Sequence, residues 1–519
     1  MTAELSRPLA AEPAPQRGQE RKASYLTILK SSVLIGGSTA LNVVIGIVRT
    51  KLMAVFLGPA GFGLMGVYTS IADMARTLAE MGINSSGVRQ IAESAGSGDA
   101  VRLARTVAVL RRVAMVLGLI GALLLVALAW PIAQLTFGNA EQAGAVALLS
   151  VAVFLRLVSD GQGALLQGIR RIGDMARVGV LGALLGTLLS IPIVYVLGRD
   201  GVVPALVAIA AASALVSWWY VRRVPLPAAL PVLTGAEVRK EVAGLLGMGL
   251  AFMASAFLMM GTAYAVRLLL VRESGLDAAG LYQAAWTIGG LYVGFILQAM
   301  GADFYPRLVE ASNDDEECNR LVNEQAQVSL LLAACGVVAT LTFAPWIFKL
   351  LYRSDFAAGT EVLRWIVLGM AMRVVTWPIG YILVAKGAQK LFVATDLAWS
   401  LVNISLTWAC VHRFGLEGAG MAFFGSYVVH ALVVYPIANR LTGFRWSGAN
   451  LRAGVLFVTV IGVVFSGFRL LDETLALTLG IVATAVSAAY SLHVLRRLVA
   501  PARVPRRLSW LLKIGKDGR

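Results

Sequence analysis

From Leu26 to Leu495 the chain is a succession of apolar runs, each about twenty residues long, separated by short polar connectors. A helix of that length crosses a hydrocarbon layer of about 30 Å, and in lipid only helices and closed barrels can satisfy their own backbone groups. Applied along the chain, this rule predicts spans near 26–48, 61–82, 106–130, 143–167, 176–197 and 202–221. Six more follow near 243–270, 279–301, 327–351, 361–385, 391–411 and 417–438, and a final pair near 453–471 and 475–495. The expected fold is therefore an all-α integral membrane protein of fourteen spans. Composition agrees: 58% of residues are hydrophobic and only 14% charged, against about 25% charged in soluble domains.

Charge placement orients the spans. The even-numbered connectors carry Arg89, Arg102 and Arg105, then Arg170, Arg171 and Arg177, then Arg222, Arg223, Arg239 and Lys240. Arg307 and Arg320, Lys386 and Lys390, and Arg440, Arg445 and Arg452 continue the series, whereas Arg199, Arg272, Arg353, Arg413 and Arg469 stand mostly alone in the odd ones. The positive-inside rule then puts both termini in the cytoplasm. The net charge is +16, but the basic residues between apolar runs lie in these short connectors and form no basic or aromatic binding module, so no nucleic acid is expected. Residues 1–24 read as a disordered cytoplasmic tail, 25–221 as an N-terminal six-helix lobe and 222–242 as a cytoplasmic linker. Residues 243–440 read as a C-terminal six-helix lobe, 441–498 as two additional transmembrane helices, and 499–519 as a basic cytoplasmic tail whose Trp510-Leu511-Leu512 could rest on anionic lipid.

The two lobes echo one another. Gly63-Leu64 recurs as Gly280-Leu281, Gly198-Arg-Asp-Gly201 as Gly415-Leu-Glu-Gly418, and Arg156 as Arg373, all at one offset in the numbering, 280 − 63 = 217. With small gaps Met81-Gly82 matches Met300-Gly301, and Gly168 matches Gly387. Six spans per copy is even, so both copies enter the membrane in the same sense and relate by an axis along its normal, with a substrate route between them.

A charge amid hydrocarbon costs about 2.5–3.5 kcal/mol on insertion scales, so each such residue needs a partner, water or a task. Arg49, Arg76, Arg156, Arg267, Arg364 and Arg373 fall within spans, with Asp73, Glu80, Asp160, Glu361 and Asp396. Asp73, Arg76 and Glu80 share one helix face, as do Arg156 and Asp160. Neutralised pairs and snorkelling ends account for such charges near a surface. Mid-span Arg156 and Arg373 are harder to explain so, and Arg373 has no acidic residue one turn away. The expected anion site is formed by Arg156 and Arg373, facing one another across one cavity and supported by Arg76, Arg49 and Arg267, since guanidinium grips phosphate bidentately. Asp73, Glu80 and Asp160 serve either ion coupling or charge offset.

Several chemistries lack their signatures. There is no GxxxxGK[ST] loop for ATP hydrolysis, and Cys318, Cys335 and Cys410 with His412, His430 and His493 have no metal-ligand spacing. No connector on the outer face is long enough for a catalytic domain, so an enzyme is not expected. The largest connectors are the inner ones, 83–105, 222–242 and 302–326, the last with the acidic run Asp314–Glu317 reading as solvated surface.

The stretch LGPAGFGLMGVYTSIADMARTLAEMGINSSGVRQIAE, Leu57 to Glu93, resembles the first loop and second helix of Wzx-type polysaccharide flippases of the enterobacterial-common-antigen (lipid III) kind. GYILVAKGAQKLF, Gly380 to Phe392, is similar to that family's tenth helix and following loop, with the mid-helix basic residue at Arg373; the likeness covers roughly residues 25–440. The resemblance implies the multidrug/oligosaccharidyl-lipid/polysaccharide (MOP) exporter superfamily, two six-helix lobes alternating between inward and outward openings, and no cofactor. It implies that the substrate is an undecaprenyl-pyrophosphate-linked oligosaccharide, such as an O-antigen unit, moved to the periplasmic leaflet. The expected partners are this polyprenyl-pyrophosphate-linked oligosaccharide, membrane lipids and other polysaccharide-assembly membrane proteins. The extra helix pair departs from the common twelve-span plan and keeps a lipid II flippase open. Two further functions compete: a multidrug exporter of the same fold, which would favour acidic cavity residues, and a membrane glycan polymerase or ligase.

Overall fold

The computed structural model describes residues 17–96, 99–225 and 235–499, and among them there is no strand. The N-terminal half comprises α1 (Arg17–Glu80), α2 (Ile83–Gly96), α3 (Ala100–Ala127), α4 (Ala129–Phe137), α5 (Ala143–Gly168), α6 (Ile172–Leu197) and α7 (Val202–Val221). Its counterpart comprises α8 (Gly235–Ala299), α9 (Tyr305–Glu310), α10 (Asp315–Leu351), α11 (Thr360–Ala385), α12 (Gln389–Phe414) and α13 (Leu416–Thr442), followed by α14 (Gly448–Leu470) and α15 (Glu473–Val499).

Eleven helical stretches among the described residues are long and apolar enough to cross a membrane. Three of them each cover two expected spans: Gly36–Glu80 (45 residues), Ile172–Val221 (50) and Met253–Leu291 (39). Each contains a break, so the expected fourteen spans fall on eleven continuous stretches. In α1 the break is Gly58 (φ 63°, ψ −176°), followed by Pro59, and in α8 it is Gly275 (φ 83°, ψ 176°). One glycine at positive φ replaces a connector, because without a Cβ it enters that region at little steric cost. A 3₁₀ turn, Gly198–Gly201, separates α6 from α7.

The inner connectors are also more helical than expected. Residues 83–105 hold α2, α8 starts at Gly235 within the expected linker, and 302–326 hold α9 and the start of α10. Asp314 caps α10, its Oδ1 accepting from the backbone N–H groups of Glu316 and Glu317 at 3.0 Å each. The boundary expected at 25 lies inside α1, while the expectations for 1–16, 226–234 and the tail 500–519 fall outside the described residues.

Backbone conformation repeats at the interval found in the sequence. Positive φ occurs at Gly58 and Gly275, at Gly198 and Gly415, and at Arg170 and Gly387, each pair at that same offset. The gapped match of Gly168 to Gly387 is thus corrected to Arg170, without a gap. At Met81-Gly82 the copies differ. The first half breaks there with both residues at positive φ, whereas Met300–Phe304 continues as a π-helical turn.

The halves touch through equivalent residues. A Cβ on Gly63 would overlap the carbonyl oxygen of Leu276 and lie 2.6 Å from the nitrogen of Gly280. A Cβ on Gly280 would overlap the carbonyl oxygen of Pro59 and lie 3.0 Å from the nitrogen of Gly63. A residue contacting its own repeat partner is the mark of a two-fold axis passing between them. On the basic-poor side, Thr136 and Tyr264 share a hydrogen bond at 2.6 Å. Arg272 donates to the carbonyls of Gln134 (2.6 Å) and Leu135 (2.6 and 2.9 Å). Those are last-turn carbonyls of α4, which its own helix leaves unmet, so one half caps a helix of the other. Phe62 packs edge-on against Tyr352 and Phe356 from the second half, with ring centroids 5.6 and 5.8 Å away.

The last two helices dock on α10. Phe457 packs with Leu331 and Ala334, Ser491 donates to the Leu331 carbonyl at 2.8 Å, and Asn450 donates to the Asn323 carbonyl at 2.9 Å. Arg469 of α14 reaches Glu417 at 2.9 Å and Glu361 at 3.5 Å.

Candidate translocation cavity

Between the halves lies a cavity of about 360 Å³, within the size range of small-molecule sites. Its two walls differ. The second limb of α1 presents small and polar groups, Gly66, Thr69, Ser70 and Asp73, while the other wall carries Tyr282, Trp286, Trp399, Phe423 and Tyr427. The rings brace one another: Trp286 on Phe423 with centroids 5.0 Å apart, Phe423 on Tyr427 at 5.1 Å, and Trp399 on Tyr427 at 5.4 Å.

Two arginines line this cavity, Arg267 and Arg373. Arg267 is 7% exposed and held by neutral acceptors. Its Nε and Nη2 donate to Gln283 Oε1 at 2.9 and 2.8 Å, and Nη1 donates to the Ala263 carbonyl at 2.8 Å. The contacts fix the side chain without cancelling its charge. Arg373 is barer still. Its Nε is buried with no hydrogen-bond acceptor, and no carboxylate pairs with it among the described residues. Its guanidinium carbon sits 5.1 Å from the ring centre of Trp377, a cation–π contact that leaves the N–H groups unspent.

The charges of the first half are paired across helices. Arg156 of α5 meets Asp73 of α1 at 2.6 Å, and Arg76 of α1 meets Asp160 of α5 at 2.8 Å and Glu80 at 2.9 Å. Arg156 and Asp160 share a face of α5, as the spacing predicts, but they do not pair with one another. Two crossed ion pairs between α1 and α5 take up both carboxylates instead. Arg49 stands near enough to Arg156 for the two charges to repel. Arg156 therefore does not line the cavity opposite Arg373. It stands behind Asp73, which does line it, and Arg49 and Arg76 likewise belong to the cluster rather than to the cavity wall. Asp73, Glu80 and Asp160 each have an arginine partner. Five arginines against these three carboxylates leave an excess of positive charge, concentrated on the side of Arg267 and Arg373.

Sequence reasoning missed Gln283 and the aromatic wall. The signal for Gln283 was available, since this glutamine within a span is the repeat counterpart of Gly66 and is polar where the first copy is bare. A neighbouring cavity of about 200 Å³ holds Asp396 and His430, and Asp396 has no ion pair among the described residues.

Arg364 has another task. It pairs with Glu361, lies 4.0 Å from the Phe468 ring centre, and is 6% exposed. Glu361 in turn takes Arg469, so this cluster fastens α14 to α11. Breaking a buried pair from one side costs about 3 kcal/mol. Arg364→Ala is expected to lower the thermal midpoint while transport per folded molecule stays at the wild-type level. A lost transport rate at unchanged stability would contradict this assignment.

A model of the family described as polysaccharide biosynthesis protein matches residues 52–359. The chain is 26% identical over 425 residues to the lipid III flippase of Escherichia coli (strain K12), covering 78% of this chain and 96% of that protein. The lipid III flippase of Shigella flexneri matches to the same extent. Among solved structures, the lipid II flippase MurJ in an inward closed conformation is similar with a TM-score of 0.67 at 13% identity, over 90% of this chain and 100% of that one. An inward-facing multidrug resistance MATE family transporter of the MOP superfamily gives 0.64 at 16% identity, over 77% and 95%. With its all-helical membrane fold and residues 52–359 matched, the chain belongs to the polysaccharide biosynthesis protein family.

Proposed function

We propose that this protein flips a polyprenyl-pyrophosphate-linked oligosaccharide, an O-antigen or related surface-polysaccharide unit, from the cytoplasmic to the periplasmic leaflet of a bacterial inner membrane. Both termini lie in the cytoplasm on this reading. The protein is a transporter and not an enzyme. One observation carries the substrate assignment: Arg373, unpaired, beside Arg267 in an aromatic-walled cavity between the halves. A bare guanidinium in a low-dielectric site is costly until an anion arrives, and pyrophosphate satisfies its fork of donors. Aromatic faces suit the apolar faces of sugar rings, and the polyprenyl chain stays in lipid. A multidrug exporter for cations would want the opposite sign of free charge here.

Movement follows from the reciprocal contacts. Gly63 on Gly280, Thr136 on Tyr264 and Arg272 on α4 close the basic-poor end. We place that end at the periplasm, so release there requires those contacts to part and the cavity to open outward by rocking of one half against the other. The test is reconstitution. Purified protein in vesicles, supplied with fluorescent polyprenyl-pyrophosphate oligosaccharide on one leaflet, is expected to expose the label to an impermeant quencher on the other. The same lipid with a monophosphate linkage is expected to move more slowly. Equal rates with and without protein would refute the proposal.

A further inference from the structure

Away from the central cavity, a second cavity of about 350 Å³ opens on the basic face of the first half, between α3, α5 and α7. It is lined at its rim by Arg111 and Arg222, and no carboxylate is among its lining residues. Neither arginine has an ion pair among the described residues. Arg111 lies just inside the edge of the span expected at 106–130, where a charge reads as an ordinary snorkelling end. Arg222 rests on two indoles, 4.7 Å from the Trp218 ring centre and 3.9 Å from that of Trp219. Such indoles sit at the headgroup level of a bilayer, which places the two charges there too.

Apart from Gln162, whose Oε1 accepts from Ser217 Oγ, the rest of the cavity is apolar. Gly161 lets α5 approach α3 so closely that its Cβ would stand 2.9 Å from that of Ala114, and this close approach forms the floor. Met115 and Val158 line the sides. Leu119 one turn beyond Met115 and Leu215 one turn beyond Trp218 are 54% and 59% exposed, so the apolar surface runs on toward the middle of the bilayer. Two unpaired guanidiniums at the interface above an apolar crevice match one chemistry: a phosphodiester with an acyl chain beneath it.

We infer that this cavity is a binding site for an anionic glycerophospholipid of the basic-face leaflet, its phosphate between Arg111 and Arg222 and an acyl chain along Met115 and Val158. The site is independent of the transport substrate. It occurs only in the first half, since the repeat counterpart of Arg111 is Val328. Bound lipid would tie α3 to α7 across α5.

Spin-labelled lipids test the assignment on the full-length protein in nanodiscs of phosphatidylcholine. The wild-type protein is expected to immobilise spin-labelled phosphatidylglycerol at least threefold more than spin-labelled phosphatidylcholine. R111Q/R222Q is expected to abolish that preference. Arg112 is exposed beside Arg111 but does not line the cavity, so R112Q is expected to keep the preference. No preference in the wild-type protein, or an equal loss in R112Q, would overturn the proposal in favour of diffuse surface charge. Complete displacement of the labelled lipid by millimolar inorganic phosphate would overturn it in favour of a simple anion site.

Discussion

Arg373→Ala is expected to lower the flipping rate between tenfold and a hundredfold while leaving thermal stability unchanged. The magnitude follows from losing a charge-assisted hydrogen bond to the anion, worth about 1.5–3 kcal/mol, at about 1.4 kcal/mol per factor of ten. The stability half follows from what the side chain lacks. Arg373 pairs with no carboxylate among the described residues, so its removal orphans no partner and relieves the burial of Nε. Arg373→Lys is expected to recover only part of the rate, because an ammonium is a point charge without the planar fork. The measurement is the vesicle assay alongside a thermal unfolding scan of the same preparation. Undiminished flipping by Arg373→Ala would remove the anion site from this cavity. Arg156→Ala makes the informative contrast. It strips Asp73 of its partner at 2.6 Å and leaves a bare carboxylate on the cavity wall. That variant is expected to lose both stability and transport, and adding Asp73→Ala is expected to restore the stability alone.

That contrast also shows how far the sequence could be read. Residue types and span positions were legible: apolar run lengths announced the helices, and mid-span charges singled out Arg156, Arg373, Asp73 and Arg76. The choice of partner was not. Helical spacing puts Arg156 next to Asp160, but in the folded chain α1 lies against α5 and its Asp73 and Arg76 take the pairs instead. Local periodicity cannot report which face of a second helix arrives opposite. Gly58 and Gly275 illustrate the same limit from the backbone side. Their recurrence at the repeat offset is in the sequence, and both fall in expected connectors, yet only the positive φ shows that one glycine turns the chain there without a loop. Connectors drawn as loops turned out to hold helices, α2 (Ile83–Gly96) among them, because an amphipathic helix has no long apolar run to reveal it. Arg111 is inconspicuous for a related reason, lying near the edge of an otherwise ordinary span.

Gly280→Ala is expected to drive the two halves apart at the basic-poor end. The new methyl would overlap the carbonyl oxygen of Pro59 and sit 3.0 Å from the nitrogen of Gly63, both backbone atoms. No rotamer can relieve a clash with backbone, so the relief must come from displacing one half relative to the other. Overpacking of this kind costs about 1–3 kcal/mol. Charged against the closed arrangement alone, it shifts the ratio of closed to open molecules by roughly 5- to 150-fold. Spin labels at Trp130 and Phe414, 62% and 52% exposed on opposite halves, would read the change as a longer and broader distance distribution. Gly163→Ala, with nothing within 4 Å of the added Cβ, is the control expected to leave the distribution alone. Because the contact is reciprocal, Gly63→Ala must produce the same lengthening through Leu276. The double variant should add little, since the first methyl has already cleared room for the second. Unchanged distances in both single variants would show that the halves do not part along this axis; a change in only one would show that the two contacts are not equivalent.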